Sequence, residues 1–335
     1  MKQINVAING FGRIGRSTFR VMYNRPEINI VAINDLVDPH TIAYLLKYDS
    51  IFGIFADEIK YDNEYLVVHG KKIKVLSETD NSKLPWKELG IDLVLESTGK
   101  FTNTEKLSNH LIAGAKKVVL SAPPKDSGIK TIVIGINDNE LKAEDAIISN
   151  ASCTTNCLAP MVKILDELAG IERGFATTVH AYTSDQRLVD APHKDLRRAR
   201  AAGINIIPTS TGAAKATALI FPHLKGKLNG SAYRVPVIDG SVVDFIVTVK
   251  NNVTKDQINE AFRKASENEL KGILEYCDEE IVSSDIIRSA YSTIFDSQLT
   301  DVNENLVKIV GWYDNESGYS YRLADLIVKM GKLIK

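Results

Sequence analysis

The feature that most constrains the fold is a glycine-rich segment near the N-terminus. Asn9-Gly10-Phe11-Gly12-Arg13-Ile14-Gly15 follows an apolar run, Ile4–Asn9, that predicts a buried strand, and it opens a helical pattern over Ile14–Asn24. Glycines spaced G-x-G-x-x-G at such a junction allow a tight turn, close approach of a phosphate to the backbone, and close packing of helix on strand. The helix N-terminus adds free N–H donors. Gly10, Gly12 and Gly15 therefore predict a pyrophosphate site, to which Arg13 adds positive charge.

An acidic residue follows the glycine motif at the distance typical of dinucleotide-binding folds. The next predicted strand, Ile28–Asn34, is followed at once by Asp35, 20 residues after Gly15. A carboxylate at this place holds the ribose hydroxyls of adenosine and repels a 2′-phosphate. The cofactor predicted from these residues is NAD rather than NADP.

The pattern of the whole chain predicts two domains. Strands and helices alternate in the first half, which indicates βαβ units and a parallel sheet. From about residue 150 the strands become longer and partly alternating. We expect an α/β plus α+β protein: a Rossmann-like NAD-binding domain over 1–150, a catalytic domain with a mostly antiparallel or mixed sheet over 151–317, and a helix, 318–335, packing back on the first domain. Individual predictions include a hairpin at His69-Gly70, a strand over Thr131–Gly135 and a helix N-cap at Thr254.

Composition excludes several classes of protein. The 335 residues carry a formal net charge of −1, which gives no general attraction to nucleic acid or to an anionic membrane. No apolar run approaches the ~18 residues of a membrane span. The chain has three cysteines, and this small, odd number does not suit a disulfide framework. We therefore expect a cytoplasmic protein with no metal site.

A second motif indicates nucleophilic catalysis. In Ser152-Cys153-Thr154-Thr155-Asn156-Cys157 a cysteine stands where a β-prone run gives way to a helical pattern. The positive end of a helix dipole lowers the pKa of a thiol, which predicts a reactive thiolate at Cys153 and packing for Cys157. His180, at the end of a predicted strand, is the candidate base. Arg234 lies in a strand otherwise built for burial, so it needs an anionic partner.

Two further segments have the residues of anion sites. The segment after His180 combines hydroxyl groups with several arginines, which can bind phosphate through charge-assisted hydrogen bonds. Thr211 and Gly212 precede a predicted helix start, which offers a second anion site.

Taken together, these motifs make the chain resemble the phosphorylating glyceraldehyde-3-phosphate dehydrogenases over nearly all of its 335 residues. The motifs are Ile8–Arg16, Asn34-Asp35, Leu45–Ser50, Glu96–Gly99, Lys116–Val118, Ser121–Pro123, Ser149–Cys157, His180–Thr183, Pro192–Arg198, Thr211–Lys215, Arg234–Pro236, Ser241–Asp244 and Trp312–Asn315.

The resemblance implies an activity: oxidative phosphorylation of D-glyceraldehyde 3-phosphate to 1,3-bisphosphoglycerate by a cytoplasmic homotetramer in glycolysis and gluconeogenesis. Cys153 would form a thiohemiacetal and then a thioester, with His180 as base. The implied binding residues fall into three groups: Arg13, Ile14, Asp35, Thr98, Ser121 and Asn315 for NAD; Thr183, Asp185, Arg198 and Arg234 for the substrate phosphate; Ser152, Thr154, Thr211 and Gly212 for inorganic phosphate. Residues 181–208 would form a loop at a subunit interface.

Three positions depart from the common family pattern, namely Phe52, Thr79 and Ser317. Two alternative functions remain open at this point. One is erythrose-4-phosphate dehydrogenase, a related enzyme that releases the acid by hydrolysis. The other is a binding protein that keeps the fold and recognises RNA or a cell-surface partner.

Overall fold

A computed structural model describes residues 3–334, which divide into two compact units. The first unit comprises residues 3–132, 139–151 and 320–334, and the second comprises 133–138 and 152–319. The outermost residues of the predicted domain ranges, 1, 2 and 335, lie outside the described part of the chain.

The first unit is built on a nine-stranded sheet in the order β3-β4-β5-β2-β1-β6-β7-β9-β8. All neighbouring strands are parallel except β3, β4 and β5, which form an antiparallel meander. The strands are β1 (Ile4–Asn9), β2 (Ile28–Asn34), β3 (Ile59–Tyr61), β4 (Tyr65–Val68), β5 (Lys71–Leu76), β6 (Leu93–Glu96), β7 (Lys117–Leu120), β8 (Lys130–Thr131) and β9 (Ile147–Ser149), and the helices are α1 (Arg13–Tyr23), α2 (Pro39–Lys47) and α3 (Thr104–Ile112).

Burial explains why the central strands carry continuous apolar runs. Strands β6 and β7 are buried at every position. Helices on a parallel sheet cover both faces, so its central strands need no polar side. The parallel arrangement also brings the carboxyl ends of β1, β2 and β6 to one edge, where Asn9 pairs with Asn34 and with Glu96 in the strand register.

The second unit is built on a seven-stranded mixed sheet in the order β11-β12-β10-β13-β16-β15-β14. Its elements are α4 (Cys153–Ala169), β10 (Ile171–Ala181), β11 (Ile207–Ser210), α5 (Ala213–Ile220), β12 (Leu228–Val235), β13 (Ser241–Val249), α6 (Lys255–Glu267), β14 (Leu274–Cys277), β15 (Thr293–Asn303) and β16 (Leu306–Tyr313). Helix α4 packs on one sheet face over a core that includes Phe262 stacked on Phe295. Thr254 caps α6 in a full capping box, as predicted.

The last helix, α7 (Ser317–Gly331), runs from the second unit into the first. Within the first unit its C-terminal part is closely packed, because a Cβ on Gly331 would come within 2.1 Å of Ile4 Cδ1. Arg25 also forms an ion pair with Asp325 at 2.8 Å.

The mixed α/β fold class and the hairpin at His69-Gly70 are confirmed. The strand predicted over Thr131–Gly135 is wrong beyond Thr131. Only Lys130–Thr131 pairs with β9, and the chain then turns, because the Val133 carbonyl accepts hydrogen bonds from the N–H groups of Ile136 and Asn137. An apolar run this short contains no signal that separates a strand from a buried turn.

Within residues 3–334, no helix has both the length and the apolar character that a membrane crossing requires. The same part of the chain has no cluster of histidine, cysteine and acidic side chains suited to a metal ion.

Candidate active site

Cys153 is the first residue of α4, and Ser152 is the N-cap. The Ser152 hydroxyl accepts a hydrogen bond from the Thr155 N–H at 3.1 Å, which is the usual role of a serine at this position. Ala151, just before the cap, has φ of +57°, a left-handed conformation that alanine rarely adopts. The strained turn and the cap together fix the direction in which α4 starts and so where the thiol points.

The sheet of the second unit places a histidine and an arginine beside each other. Strands β10 and β12 are parallel neighbours, and His180 and Arg234 are direct partners in their register. His180 Nε2 lies 3.4 Å from Cys153 Sγ. On the other side of the ring, Nδ1 lies 2.7 Å from the Ala181 carbonyl, to which Arg234 Nη1 also donates at 3.0 Å. Arg234 Nη1, which can only donate, also lies within hydrogen-bond distance of His180 Nδ1. In the tautomer whose Nδ1 donates to the Ala181 carbonyl, the Nε2 lone pair faces the thiol.

The electrostatics of this pair differ from the sequence-based expectation. Burial raises the pKa of the Cys153 thiol, and the positive charge of Arg234 only partly opposes this effect. Burial and then Arg234 lower the pKa of His180 to about 3. The prediction that the thiol pKa is lowered is therefore wrong, because burial outweighs the lowering by Arg234 and by the hydrogen bonds at the helix start. At neutral pH the resting pair is a neutral thiol and a neutral imidazole.

Tyr313 is a residue of the site that the sequence did not reveal. Its hydroxyl lies 2.9 Å from the Thr154 hydroxyl and 2.8 Å from the Thr178 hydroxyl, and its ring meets His180 edge to face. Thr154 is 159 positions away in the chain, so only the packing of α4 on the sheet brings the two together. A tyrosine two residues before Asn315 in the Trp312–Asn315 motif was the one available signal.

The predicted phosphate-binding side chains lie in two groups within the second unit. Arg198 Nη1 forms an ion pair with Asp185, and its Nε donates to the Thr209 hydroxyl at 2.7 Å. The Thr183 backbone N–H is held by Gln186 Oε1 at 2.9 Å. Burial alone would raise the pKa of Asp185, but hydrogen bonding and the charge of Arg198 lower it overall. The loop arginine is thus held in place by a carboxylate before any ligand binds.

The residues predicted to bind inorganic phosphate stand at the starts of two helices, α4 and α5. Thr211 and Gly212 stand at the start of α5, where the Thr211 hydroxyl accepts from the Ala213 N–H at 3.2 Å. Ser152 acts as a helix cap and Thr154 is turned towards Tyr313, so their hydroxyl groups already have intramolecular partners. Cys157 is fully buried in the core, which agrees with its predicted packing role.

Asn315 is held by a residue that sequence analysis also missed. Ser241 Oγ donates to Asn315 Oδ1 at 2.6 Å and accepts from the Ala181 N–H at 3.1 Å. Ser241 therefore connects the side chain of Asn315 to the end of β10, where His180 and Ala181 are neighbours.

The glycine turn of the first unit has the geometry of a dinucleotide site. Gly10 has φ of +91°, and a Cβ there would lie 2.6 Å from the Thr98 backbone N. A Cβ on Gly15 would lie 2.2 Å from the Gly10 carbonyl oxygen, whereas one on Gly12 would meet nothing within 4 Å. Gly12 is also the N-cap of α1, so no side chain covers the start of this helix at that position. Two glycines thus permit close packing, and the third leaves open space at a helix N-terminus, which fits a pyrophosphate.

The predicted neighbours of this turn lie at the same edge of the sheet. Asp35, just past β2, accepts a hydrogen bond from the Phe11 N–H at 2.6 Å. Ser121 follows β7, and its N–H donates to the Glu96 carbonyl at 3.0 Å. Arg13 forms an ion pair with Asp49 at 2.6 Å and lies over the ring of Phe52, one of the departures from the family pattern. Arg13 and Ile14 open α1.

A dinucleotide-type turn on a parallel sheet, and a half-buried cysteine beside a buried histidine in the unit with the mixed sheet, are typical of an oxidoreductase. Comparison with known proteins narrows this class. Residues 4–104 match the NAD binding domain of glyceraldehyde 3-phosphate dehydrogenase, and residues 152–315 match its C-terminal domain. The chain belongs to the glyceraldehyde-3-phosphate dehydrogenase family.

Several curated relatives are similar over their full length. Glyceraldehyde-3-phosphate dehydrogenase of Streptomyces coelicolor is 57% identical over 332 residues, covering 98% of both chains. The enzyme of the same name from Borreliella burgdorferi is 55% identical and covers 98% of this chain and 100% of its own, and that of Mycobacterium avium is 54% identical and covers 98% and 99%.

Proposed function

We propose that the protein oxidises D-glyceraldehyde 3-phosphate with NAD and inorganic phosphate and releases 1,3-bisphosphoglycerate, a step of glycolysis and gluconeogenesis. The observation that carries the proposal is the contact of Cys153 Sγ with His180 Nε2 at 3.4 Å beside the half-buried Arg234, in a chain of this family. A nucleophilic thiol, a base and a fixed cation are what acyl transfer to phosphate requires.

The first step uses the neutral pair. Cys153 Sγ attacks the aldehyde carbon while the thiol proton passes to His180 Nε2, and the product is the oxyanion of a thiohemiacetal. Because the pKa of the thiol is raised and that of His180 is lowered, the proton moves only as the carbon–sulfur bond forms. The Cys153 N–H lies in the first turn of α4, where N–H groups lack intrahelical acceptors, so it serves as a donor to the developing oxyanion.

NAD, when bound, supplies the hydride acceptor that turns the thiohemiacetal at Cys153 into a thioester. We assign its pyrophosphate to Gly10, Gly12 and Gly15 with the start of α1. The remaining residues proposed to hold it are Arg13, Ile14, Asp35, Thr98, Ser121 and Asn315. Ser241 orients the Asn315 amide for this purpose.

The last step transfers the acyl group. Inorganic phosphate attacks the thioester carbon, the bond to Sγ breaks, and the Cys153 thiolate is released and reprotonated by His180. We assign the substrate phosphate to Thr183, Asp185, Arg198 and Arg234, and inorganic phosphate to Ser152, Thr154, Thr211 and Gly212. The pairing of Arg198 with Asp185 supports the first assignment, because it holds the guanidinium in position before the ligand arrives.

We further propose that the first unit is the NAD-binding domain, the second is the catalytic domain, and the working form is a homotetramer in the cytoplasm. The loop after β10 supports assembly, since Leu188, Leu196 and Ile204 are 90%, 81% and 84% exposed. Several large apolar side chains exposed on one segment are typical of a protein interface. All three cysteines are free thiols, which suits a reducing compartment. Light scattering coupled to size-exclusion chromatography tests the assembly, and a monomer would contradict it.

NADH absorbance tests the activity directly. We expect NADH to form with D-glyceraldehyde 3-phosphate and NAD only when inorganic phosphate is present. Phosphate-independent turnover, or faster turnover with erythrose 4-phosphate, would overturn the assignment in favour of a dehydrogenase that hydrolyses its thioester. Absence of turnover with both aldehydes, together with tight binding of RNA at physiological salt, would instead indicate a binding protein.

A further inference from the structure

The first unit contains a buried carboxylate that the proposed mechanism does not use. Glu96 is the last residue of β6 and is fully buried. Its Oε1 accepts hydrogen bonds from the Thr98 backbone N–H at 2.8 Å and from the Thr98 hydroxyl. Its Oε2 accepts from Asn9 Nδ2 at 2.6 Å and faces His110 Nε2 at 3.1 Å. Four donors of the protein thus surround one buried carboxylate, so both of its oxygens have hydrogen-bond partners.

Trp86 determines which nitrogen of His110 carries the proton. An indole N–H can only donate, and Trp86 Nε1 lies 3.0 Å from His110 Nδ1. Nδ1 is therefore an acceptor, which leaves Nε2 to donate to Glu96 Oε2. Asn81 Nδ2 also lies 3.3 Å from Nε2. A hydrogen-bonded chain therefore links three fully buried side chains, in which Trp86 donates to His110 and His110 donates to Glu96.

The series of hydrogen bonds from Trp86 through His110 to Glu96 ends at the glycine turn. Thr98, which Glu96 holds by both its N–H and its hydroxyl, lies against Gly10 so closely that a Cβ on Gly10 would be 2.6 Å from its backbone N. Asn9, the third partner of Glu96, immediately precedes Gly10 and accepts a further hydrogen bond from Asn34 Nδ2 at 2.7 Å. One carboxylate thus connects the ends of β1 and β6 with the turn between β1 and α1.

We propose that Glu96 and His110 are positioning residues for the dinucleotide, which hold Thr98 and the Gly10 turn in the binding conformation without touching the ligand. The inference rests on the proposed binding of NAD at this turn. It assigns affinity for NAD, rather than the chemistry at Cys153, to a hydrogen-bonded chain that begins at Trp86 in the core.

A pair of substitutions at one position tests the proposal. His110→Leu leaves both Trp86 Nε1–H and Glu96 Oε2 without their partner. His110→Gln can accept from Trp86 through its amide oxygen and donate to Glu96 through its amide nitrogen. Isothermal titration with NAD should show a Kd raised about tenfold in H110L and restored to within about twofold of the original in H110Q. The kcat at saturating NAD and the KM for phosphate should stay unchanged in both.

Leu107→Ala is the matched control, because Leu107 is buried on the same helix α3 but packs in an apolar cluster with Val118, Leu120 and Ile129. It should lower the Tm and leave the Kd for NAD unchanged. Should H110L fail to fold, Glu96→Gln replaces it, because its amide nitrogen must face two donors in a side chain of the same size, and the Kd should again rise. An unchanged Kd in a folded H110L or E96Q would overturn the proposal, and so would H110L and L107A raising the Kd equally. Failure of the unaltered protein to bind NAD would instead refute the proposed function.

Discussion

Asp239 offers the sharpest test of the electrostatics in the second unit. It lies between β12 and β13, is fully buried, and accepts a hydrogen bond from the Gly240 N–H at 2.9 Å. Burial, reinforced by the charges of Asp314 and Glu316, raises the pKa of Asp239 to about 8. Asp314 accepts from the N–H groups of Arg288, Glu316 and Ser317. Those donors favour the ionised form of Asp314, so the proton of the pair lies on Asp239.

This protonation makes stability depend on pH. An aspartate in the unfolded chain loses its proton near pH ~4. Between about pH 4 and about pH 8 Asp239 therefore binds one proton in the folded protein that it does not bind in the unfolded chain, and its contribution to the free energy of unfolding falls as pH rises. The slope is about 1.4 kcal/mol per pH unit, or about 3 kcal/mol from pH 5 to pH 7.

Asp239→Asn removes this dependence at nearly constant shape, because the amide oxygen can still accept from the Gly240 N–H. The free energy of unfolding of D239N relative to the original protein should become more favourable by about 3 kcal/mol between pH 5 and pH 7. For a unit of this size the Tm difference should widen by about 6–12 °C. Thermal and urea unfolding at matched subunit concentration measure both quantities.

Comparing two proteins at each pH cancels the titration of all other groups. Asp278→Asn, at an exposed carboxylate in the same unit, is the control and should show a Tm difference that does not change with pH. Parallel stability curves for D239N and the original protein from pH 5 to pH 7 would refute the reasoning.

Three further predictions concern the nucleophile and the glycine turn. Cys153→Ser should reduce turnover at least about 1000-fold, because serine is a far weaker nucleophile beside a neutral histidine, while titration should show an unchanged Kd for NAD; substantial turnover in C153S would rule out covalent catalysis. Asp35→Gly should lower the ratio of kcat/KM for NAD to that for NADP at least about tenfold, and an unchanged ratio in steady-state assays would refute the assigned role of the carboxylate. Gly15→Ala should destabilise the protein by at least about 2 kcal/mol, since its Cβ would meet the Gly10 carbonyl at 2.2 Å. Gly12→Ala, with nothing within 4 Å, should keep the Tm and only weaken NAD binding, and equal Tm values for the two variants would contradict this reading of the turn.

The fold was predictable where the signal was local. The first strand, the glycine turn and α1 follow from an apolar run, glycine spacing and helical periodicity within some twenty residues. The cap at Thr254 is equally local, since hydroxyl and glutamine stand three residues apart. The strand expected over Thr131–Gly135 failed because its apolar residues are buried in a turn.

The site was predictable as a set of residues but not as an electrostatic arrangement. Cys153 and His180 do lie in contact, as their residue types suggested. The predicted direction of the Cys153 pKa shift was wrong, because burial of the thiol outweighs the lowering by a guanidinium more than eighty positions away. Tyr313 and Ser241 were missed, because their partners are distant in the chain.

By itself, the sequence determined the βαβ start with its glycine turn, the position of a cysteine at a helix N-terminus, and the family to which the chain belongs. These depend on neighbours along the chain, whose backbone preferences and spacing are visible in the order of residues. Only the tertiary structure decided that Arg234 stands beside His180, that the resting thiol is neutral, and that Glu96 and His110 are joined beneath the turn. Charge states and hydrogen-bond geometry depend on burial and on the register between strands distant in the chain. Residues adjacent in the sequence do not reveal that burial or that register.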